Sequence, residues 1–357
     1  MDSRKRVRRL INRKPADRIA IFDSFWTQTL ADFRAQGMPA EIWPEDYFDF
    51  DISMFWFEQS FLLPEEVIEE DDEYRLVRDE WGTLNKEFRE EQTTPGLLGF
   101  AIETREQWEQ EYKPLLAYDP ETRIDWEPFE ARYQHFRKRD RYVALSMLDP
   151  FECTWHKVGP EKQLMLTIQD PAWLQDMYAA DVQLISDAWR DLQTRGIQPD
   201  ALWLYGDIAY NKGMLFSPRH YRKLLQPFHR QLCELAHADG AQVIYHSDGD
   251  LTKAVPLLIE AGVDCIQPME VKAGMDVVAL KEAYGDQLAF MGNIDAQLFQ
   301  SNDRDGLKTE IERKIPAAMA GGGYVYHSDH SIPPGATLET YQYALSLVRE
   351  IGQYPET

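Results

Sequence analysis

The residues best suited to chemistry lie in residues 242–250, which read Gln-Val-Ile-Tyr-His-Ser-Asp-Gly-Asp. Residues 242–245 favour a buried strand, and His246 and Asp248 follow it directly. Because side chains two apart in an extended chain point to the same side, this imidazole and this carboxylate face the same way. Together they can hold a metal ion or relay a proton. The structural alternative is a helix start, since Ser and Asp also cap helices.

Polar residues follow the other predicted strands in the same manner. They are Asp23, Asp149, Asp207, Glu270, Asn293 with Asp295, and residues 327–330. A single Asp after a strand is more often a helix cap than a catalyst. In an α/β barrel, however, the carboxyl ends of the strands build the active site on one face. The repeated pattern therefore predicts an active site at that face.

The elements that must position these residues alternate regularly after residue 142. Strands are predicted at 142–149, 201–207, 242–246, 263–268, 288–292 and 324–327. Helices are predicted at 171–195, 217–239, 251–261, 275–284, 303–320 and 338–351. Such alternation indicates a parallel sheet with helices outside it. No Gly-x-Gly-x-x-Gly follows a strand, so a single (β/α)₈ TIM barrel is favoured over an open dinucleotide-binding fold.

The region before residue 141 has no regular repeat. We expect one domain over residues 1–357, in which residues 1–140 form an N-terminal elaboration with the first strand and residues 141–352 form the regular β/α units. A hairpin is predicted at 74–88, turning through Gly82, and the acidic run 65–73 is interpreted as a solvated loop or helix face.

Composition limits the partners and the compartment. The 38 basic and 61 acidic residues give a net charge of −23, which repels nucleic acid and anionic membranes. Three widely spaced cysteines argue for a reducing compartment rather than a disulfide framework. No apolar run approaches membrane-spanning length, and the basic start lacks the apolar core of a signal peptide. We expect a cytoplasmic protein with a small-molecule substrate.

Several motifs carry a resemblance to a known family. They are Gly206-Asp207, residues 212–218, 246–250, 267–276, 292–295 and 321–334. With these motifs the chain resembles the uroporphyrinogen decarboxylase superfamily over residues 200–352, and residues 8–21 also resemble the start of its members. That superfamily includes corrinoid-related and cobalamin-independent methyltransferases that activate thiols on zinc. The resemblance implies a TIM barrel but leaves the reaction open.

The resemblance to the zinc methyltransferases implies a metal site. Their ligands are His-x-Cys, a Glu after the next strand and a Cys after the last. The corresponding residues of this chain are His246, Asp248, Glu270 and His330. This set suits Zn²⁺, and its oxygen content also suits Mn²⁺ or Fe²⁺. The alternative is a site without metal or cofactor, as in the decarboxylases of the superfamily.

The decarboxylases imply different roles. There an aspartate in the barrel mouth stabilises a pyrrole as it is protonated, which makes Asp207 a catalytic candidate beside His246 and Asp248. Lys212 is the predicted cation for a substrate carboxylate. The other predicted substrate-binding residues are Asp23, Asn293, Asp295 and Asp329. The Arg-rich segment of true uroporphyrinogen decarboxylases is missing, because residues 23–26 read Asp-Ser-Phe-Trp. An acidic mouth suits a polycarboxylated tetrapyrrole poorly.

Three functions follow as hypotheses. The favoured one is a metal-assisted methyltransferase that works on a small substrate or with a corrinoid protein. The second is a cofactor-free decarboxylase of a carboxylated aromatic or pyrrolic compound, and the third is a non-catalytic barrel that binds a small ligand. The aromatic residues before position 137 further suggest a homodimer, which would remove apolar surface from water.

Overall fold

A computed structural model describes residues 1–89 and 96–355. Its strands are β1 (Ala20–Ile21), β2 (Ile52–Trp56), β3 (Glu66–Glu70), β4 (Tyr74–Arg78), β5 (Leu84–Phe88), β6 (Gly96–Gly99), β7 (Tyr142–Leu148), β8 (Ala201–Tyr205), β9 (Ala209–Tyr210), β10 (Gly213–Met214), β11 (Gln242–Ser247), β12 (Cys265–Pro268), β13 (Ala289–Met291) and β14 (Tyr324–Tyr326). Its α-helices are α1 (Ser3–Ile11), α2 (Thr27–Ala35), α3 (Pro44–Tyr47), α4 (Arg105–Gln107), α5 (Pro120–Arg123), α6 (Trp126–Arg137), α7 (Pro150–Val158), α8 (Pro160–Gln169), α9 (Pro171–Thr194), α10 (Pro218–His220), α11 (Gln226–Ala238), α12 (Val255–Ala261), α13 (Val277–Tyr284), α14 (Ala296–Gln300), α15 (Arg304–Met319) and α16 (Leu338–Ile351). Short 3₁₀ or π turns lie at Trp108–Tyr112, Lys113–Leu116, Tyr221–Leu225 and Val271–Ala273.

The main sheet is the predicted barrel. Its strands run in the order β1-β14-β13-β12-β11-β8-β7-β2, and every recorded pairing between them is parallel. Between the two ends of this order, the N–H of Asp51 donates to the carbonyl of Ile21 over 2.8 Å. The Asp51 carboxylate accepts from the N–H of Ile21, also over 2.8 Å. These two contacts bring the sheet nearly to closure and confirm the fold class.

The basic helix α1 covers the amino-terminal end of the barrel. The buried Asp51 carboxylate lies 2.6 Å from the guanidinium of Arg6 and 2.7 Å from that of Arg18. A buried carboxylate without such partners would be costly. The arginines near the start of the sequence therefore stabilise the place where the two end strands, β1 and β2, approach each other.

Strand periodicity decides which side chains reach the barrel interior. In β11 the His246 ring stacks on Tyr205 of the neighbouring β8, with centroids 4.4 Å apart. The adjacent Tyr245 points the opposite way and contacts the ring of His229 in α11, at 5.0 Å. Because successive side chains of a strand alternate, His246 faces the interior while Tyr245 joins the sheet to the helix layer.

The helices pack around the barrel. The longest, α9, has 24 residues and begins where the Asp170 side chain accepts from the N–H of Trp173. Pro171 occupies the first turn, where its missing N–H is not needed. Among residues 1–89 and 96–355, no helix has both the length and the apolar composition to cross a membrane.

The elaboration contains a second, antiparallel sheet in the order β3-β4-β5-β6. The predicted hairpin at 74–88 is confirmed by the pairing of β4 with β5. The acidic run 65–73 is exposed, as predicted, but the expectation of a loop or helix is wrong over Glu66–Glu70, which forms the edge strand β3. Its central Val67 and Ile68 favour a strand, while its glutamates stay in water. The predicted single domain includes residues 90–95 and 356–357, which lie outside the described residues, and it stays a prediction.

Candidate metal centre

Three side chains converge where β8 and β11 end. One ligand atom from each of Asp207, His246 and Asp248 lies within 4.8 Å of the others. The strand register causes this, since His246 pairs with Tyr205, two residues before Asp207. The N–H of Asp248 donates to Asp207 Oδ1 over 2.9 Å, and His246 Nε2 lies 3.7 Å from the same oxygen.

The cluster is short of positive charge. Oδ1 of Asp248 is buried and has no hydrogen-bond partner in the described part of the chain. Burial raises the pKa of the Asp248 carboxyl, His246 and His330 act to lower it, and Asp207 raises it further. A cation or a proton at the centre of the cluster would relieve this conflict.

The imidazole of His246 is held from two sides. Its Nδ1 lies 2.6 Å from Oε1 of the buried Gln267, whose Nε2 lies 3.4 Å from Nε2 of His327. On the other side, its ring stacks on Tyr205, which in turn contacts Trp56 at 5.0 Å between centroids. Gln267 was not predicted as a functional residue, because an amide within a strand gives no signal of its own.

Glu152 was also missed. It lies in the first turn of α7, and its Oε2 accepts from the N–H of Asp207 over 3.3 Å. Burial, followed by the nearby carboxylates of Asp207 and Asp149, raises the pKa of Glu152 to about 8. The only sequence signal was Asp149-Pro150, which predicts a helix start and therefore places Glu152 at the strand end.

A buried network supports the loop that carries Asp207. Oδ2 of Asp149 lies 2.7 Å from Nε2 of His229 and accepts from the hydroxyl of Tyr245 over 2.9 Å. The same hydroxyl is 2.9 Å from the carbonyl of Gly206. A Cβ on Gly206 would lie 2.2 Å from the Asp149 carboxylate, so only glycine fits there.

The other two predicted ligands lie beside the cluster rather than within it. Glu270 accepts from the N–H of Gly249 over 3.0 Å, and its other oxygen is 3.6 Å from Lys272 Nζ. His330 stacks on Trp26, and its Nε2 lies 3.7 Å from Asp248 Oδ2. The compact group therefore consists of the three residues predicted as catalytic, and it contains Asp207 in place of the predicted ligands Glu270 and His330.

Two carboxylates predicted to bind substrate, those of Asp23 and Asp329, are buried and accept hydrogen bonds from protein groups. Asp23 accepts from the hydroxyls of Ser328 and Tyr341, and burial raises its pKa to about 7. Asp329 accepts from the N–H groups of Ala296 and Val271 over 2.7 and 2.9 Å. These hydrogen bonds hold both carboxylates against the protein, and Asp23 also lines a cavity beside Trp56 and Arg132. A substrate contact by either residue stays a prediction.

The remaining substrate-binding candidates differ among themselves. Asn293 is buried, and its amide donates to the carbonyls of Met269 and Met275 over 2.8 and 2.9 Å. Asp295 caps α14. Lys212 is exposed in the turn between β9 and β10. Asn293 and Asp295 thus hold loops together. A substrate contact by Asn293, Asp295 or Lys212 stays a prediction.

Fold and site together define an α/β barrel that gathers ionisable groups at its strand carboxyl ends. The model of the family "Uroporphyrinogen decarboxylase (URO-D)" matches residues 162–351, just over half of the chain, so the chain belongs to this family. The chain is 30% identical to a uroporphyrinogen decarboxylase of Saccharophagus degradans over 183 residues. This stretch covers 51% of this chain and 48% of that protein. The chain therefore matches about half the length of this curated relative.

A solved structure is similar over almost the whole chain. It is a methyltransferase from Methanosarcina mazei, with a TM-score of 0.69 and 15% sequence identity, covering 98% of this chain and 99% of that one. At this identity the similarity concerns the fold. The predicted superfamily and the predicted TIM barrel are both confirmed.

Proposed function

We propose that this chain is a methyltransferase that holds one divalent metal ion between Asp207, His246 and Asp248. The observation that carries the proposal is the approach of three ligand atoms to within 4.8 Å of one another. Three protein ligands that leave a further position open are typical of catalytic zinc sites. An oxygen-rich set also suits Mn²⁺ or Fe²⁺.

The residues of the proposed site have different roles. The two carboxylates balance a 2+ charge, and the imidazole contributes one neutral ligand. When bound, such an ion would act as a Lewis acid and lower the pKa of a substrate thiol, alcohol or water. Trp56, which is 44% exposed, and Tyr205 form an aromatic wall against which the substrate can pack.

Methyl transfer is proposed because of where the cluster falls in the sequence. His246 and Asp248 occupy the positions of His-x-Cys in the zinc methyltransferases that the chain resembles. A corrinoid protein or a small methylated molecule would then provide or receive the methyl group. Replacing a thiolate by a carboxylate makes the proposed ion more electrophilic, which favours binding of a substrate heteroatom.

The test is metal analysis of protein purified without chelator and then offered zinc, manganese or iron. We expect near-stoichiometric binding of one of them, loss of binding in His246→Ala, and no loss in the control His237→Ala, whose ring pairs with Asp264 away from the site. The loaded protein should also demethylate methylcobalamin with 2-mercaptoethanol faster than chelated protein. Absence of metal binding, with His246→Ala unchanged, would contradict the proposal.

A second candidate is a cofactor-free decarboxylase. Glu152 favours it, because a buried carboxyl beside Asp207 can keep a proton for a substrate carbanion at neutral pH. The Saccharophagus relative is also called a uroporphyrinogen decarboxylase. If metal is absent and Glu152→Gln abolishes release of CO₂ from carboxylated pyrroles, this function replaces the first. A purely binding role would instead tolerate Asp207→Asn and Asp248→Asn.

A further inference from the structure

We infer that Gln267 and His327 are positioning residues that fix the tautomer of His246, so that its Nε2 faces the cluster without a hydrogen. The inference deepens the proposed metal site, and its functional consequence rests on that proposal. The hydrogen-bond chain itself stands independently of any metal. It can be followed from one group whose role is unambiguous, the carbonyl of Ser328.

A carbonyl oxygen can only accept a hydrogen bond. Ser328 O lies 2.5 Å from Nδ1 of His327, so that nitrogen must carry a hydrogen. Asp23 Oδ1, 3.7 Å from the same nitrogen, is a second acceptor facing it. The His327 ring is only 1% exposed, and burial disfavours its charged form. Its Nε2 is therefore a bare acceptor.

Gln267 is the next link. Its Nε2 lies 3.4 Å from Nε2 of His327, where only a donor can satisfy the bare nitrogen. In the opposite amide orientation, Oε1 of Gln267 would face the lone pair on Nε2 of His327. Because Gln267 is 3% exposed, water cannot readily compensate for that error. The amide therefore points its oxygen at His246.

His246 then has one possible neutral form. Its Nδ1 lies 2.6 Å from the Gln267 oxygen and must donate, which leaves the lone pair on Nε2. Nε2 is the nitrogen that lies 3.7 Å from Asp207 Oδ1. The other tautomer would aim an N–H at this carboxylate and remove the metal-binding lone pair. The chain thus selects the ligating form before any ligand arrives.

The test compares two substitutions at one position. Gln267→Met keeps the approximate volume but removes the acceptor, whereas Gln267→Glu keeps an acceptor for His246 Nδ1–H. Gln226→Met is the matched control, because Gln226 is another buried amide, bonded to Leu257 O away from the site. Histidine-selective ¹⁵N spectra of chelated protein report the tautomer, with His246 assigned from the His246→Asn variant.

We expect the hydrogen on Nδ1 in the wild type, in Gln267→Glu and in Gln226→Met, and a mixture of tautomers in Gln267→Met. Zinc affinity should fall about 10- to 100-fold in Gln267→Met alone. A wild-type hydrogen on Nε2, or a Gln267→Met spectrum like that of the wild type, would overturn the inference. The expected tautomers together with no metal binding would uphold it and reject only the proposed function.

Discussion

The buried Asp23 carboxyl should make the stability of the protein depend on pH by an amount that can be calculated. Burial raises its pKa from 3.8 to about 7, so the folded state holds this proton over a range in which the unfolded state has lost it. Stability therefore falls as the pH rises between these values, and the loss is complete above about 7. Between pH 5 and pH 8 the cost is about 2.6 kcal/mol, at 1.36 kcal/mol per pKa unit. Asp23→Asn cannot ionise and should escape this cost.

The assay is thermal unfolding of both proteins at pH 5 and pH 8. An unfolding entropy of about 2.1 cal/mol/K per residue gives about 0.75 kcal/mol/K for 357 residues. The Tm of Asp23→Asn minus that of the wild type should thus be about 3.5 °C more positive at pH 8 than at pH 5. Asp286→Asn, at an exposed carboxylate, should show no such change. If the Tm difference between Asp23→Asn and the wild type were equal at both pH values, the raised pKa of the buried Asp23 would be refuted.

Three further predictions concern packing and assembly. Gly206→Ala should destabilise the protein by about 1–3 kcal/mol, because the added Cβ would lie 2.2 Å from the Asp149 carboxylate. The control Gly99→Ala should not destabilise it, because the nearest atom to its Cβ is 3.7 Å away. The Tm of each variant tests this prediction. Lys157→Met should cost about 3–5 kcal/mol in urea unfolding, since it strands the buried Asp181 carboxylate, and adding Asp181→Leu should recover part of this loss. Light scattering at micromolar concentration should give a dimer mass, and a monomer mass would contradict the predicted homodimer.

The barrel was predictable from residue 142 onward because each unit carries its own local signals. A strand, a helix and a terminal glycine recur there, and α16 spans the predicted residues 338–351. The earlier part has no such repeat. Strand β2 (Ile52–Trp56) was not predicted, because its neighbour in the barrel is β7, about ninety residues later. Pairing over that distance leaves no mark in a local pattern.

All three clustered residues were predicted as catalytic candidates, but Asp207 was not among the predicted metal ligands. His246 and Asp248 could be placed by strand periodicity alone. Asp207 joins them only through the register of β8 against β11, which the sequence does not specify. Glu270 follows Met269, whose φ of 65° lies in the left-handed region, and its carboxylate accepts from the N–H of Gly249. The burial that raises the pKa of Glu152 is likewise a property of the fold.

The most direct test of the proposed metal centre is anomalous diffraction from crystals loaded with zinc. The proposed site predicts one strong peak about 2.0–2.2 Å from His246 Nε2 and from one oxygen each of Asp207 and Asp248. A peak bound by Glu270 and His330 without Asp207, or no peak after saturating zinc, would contradict it.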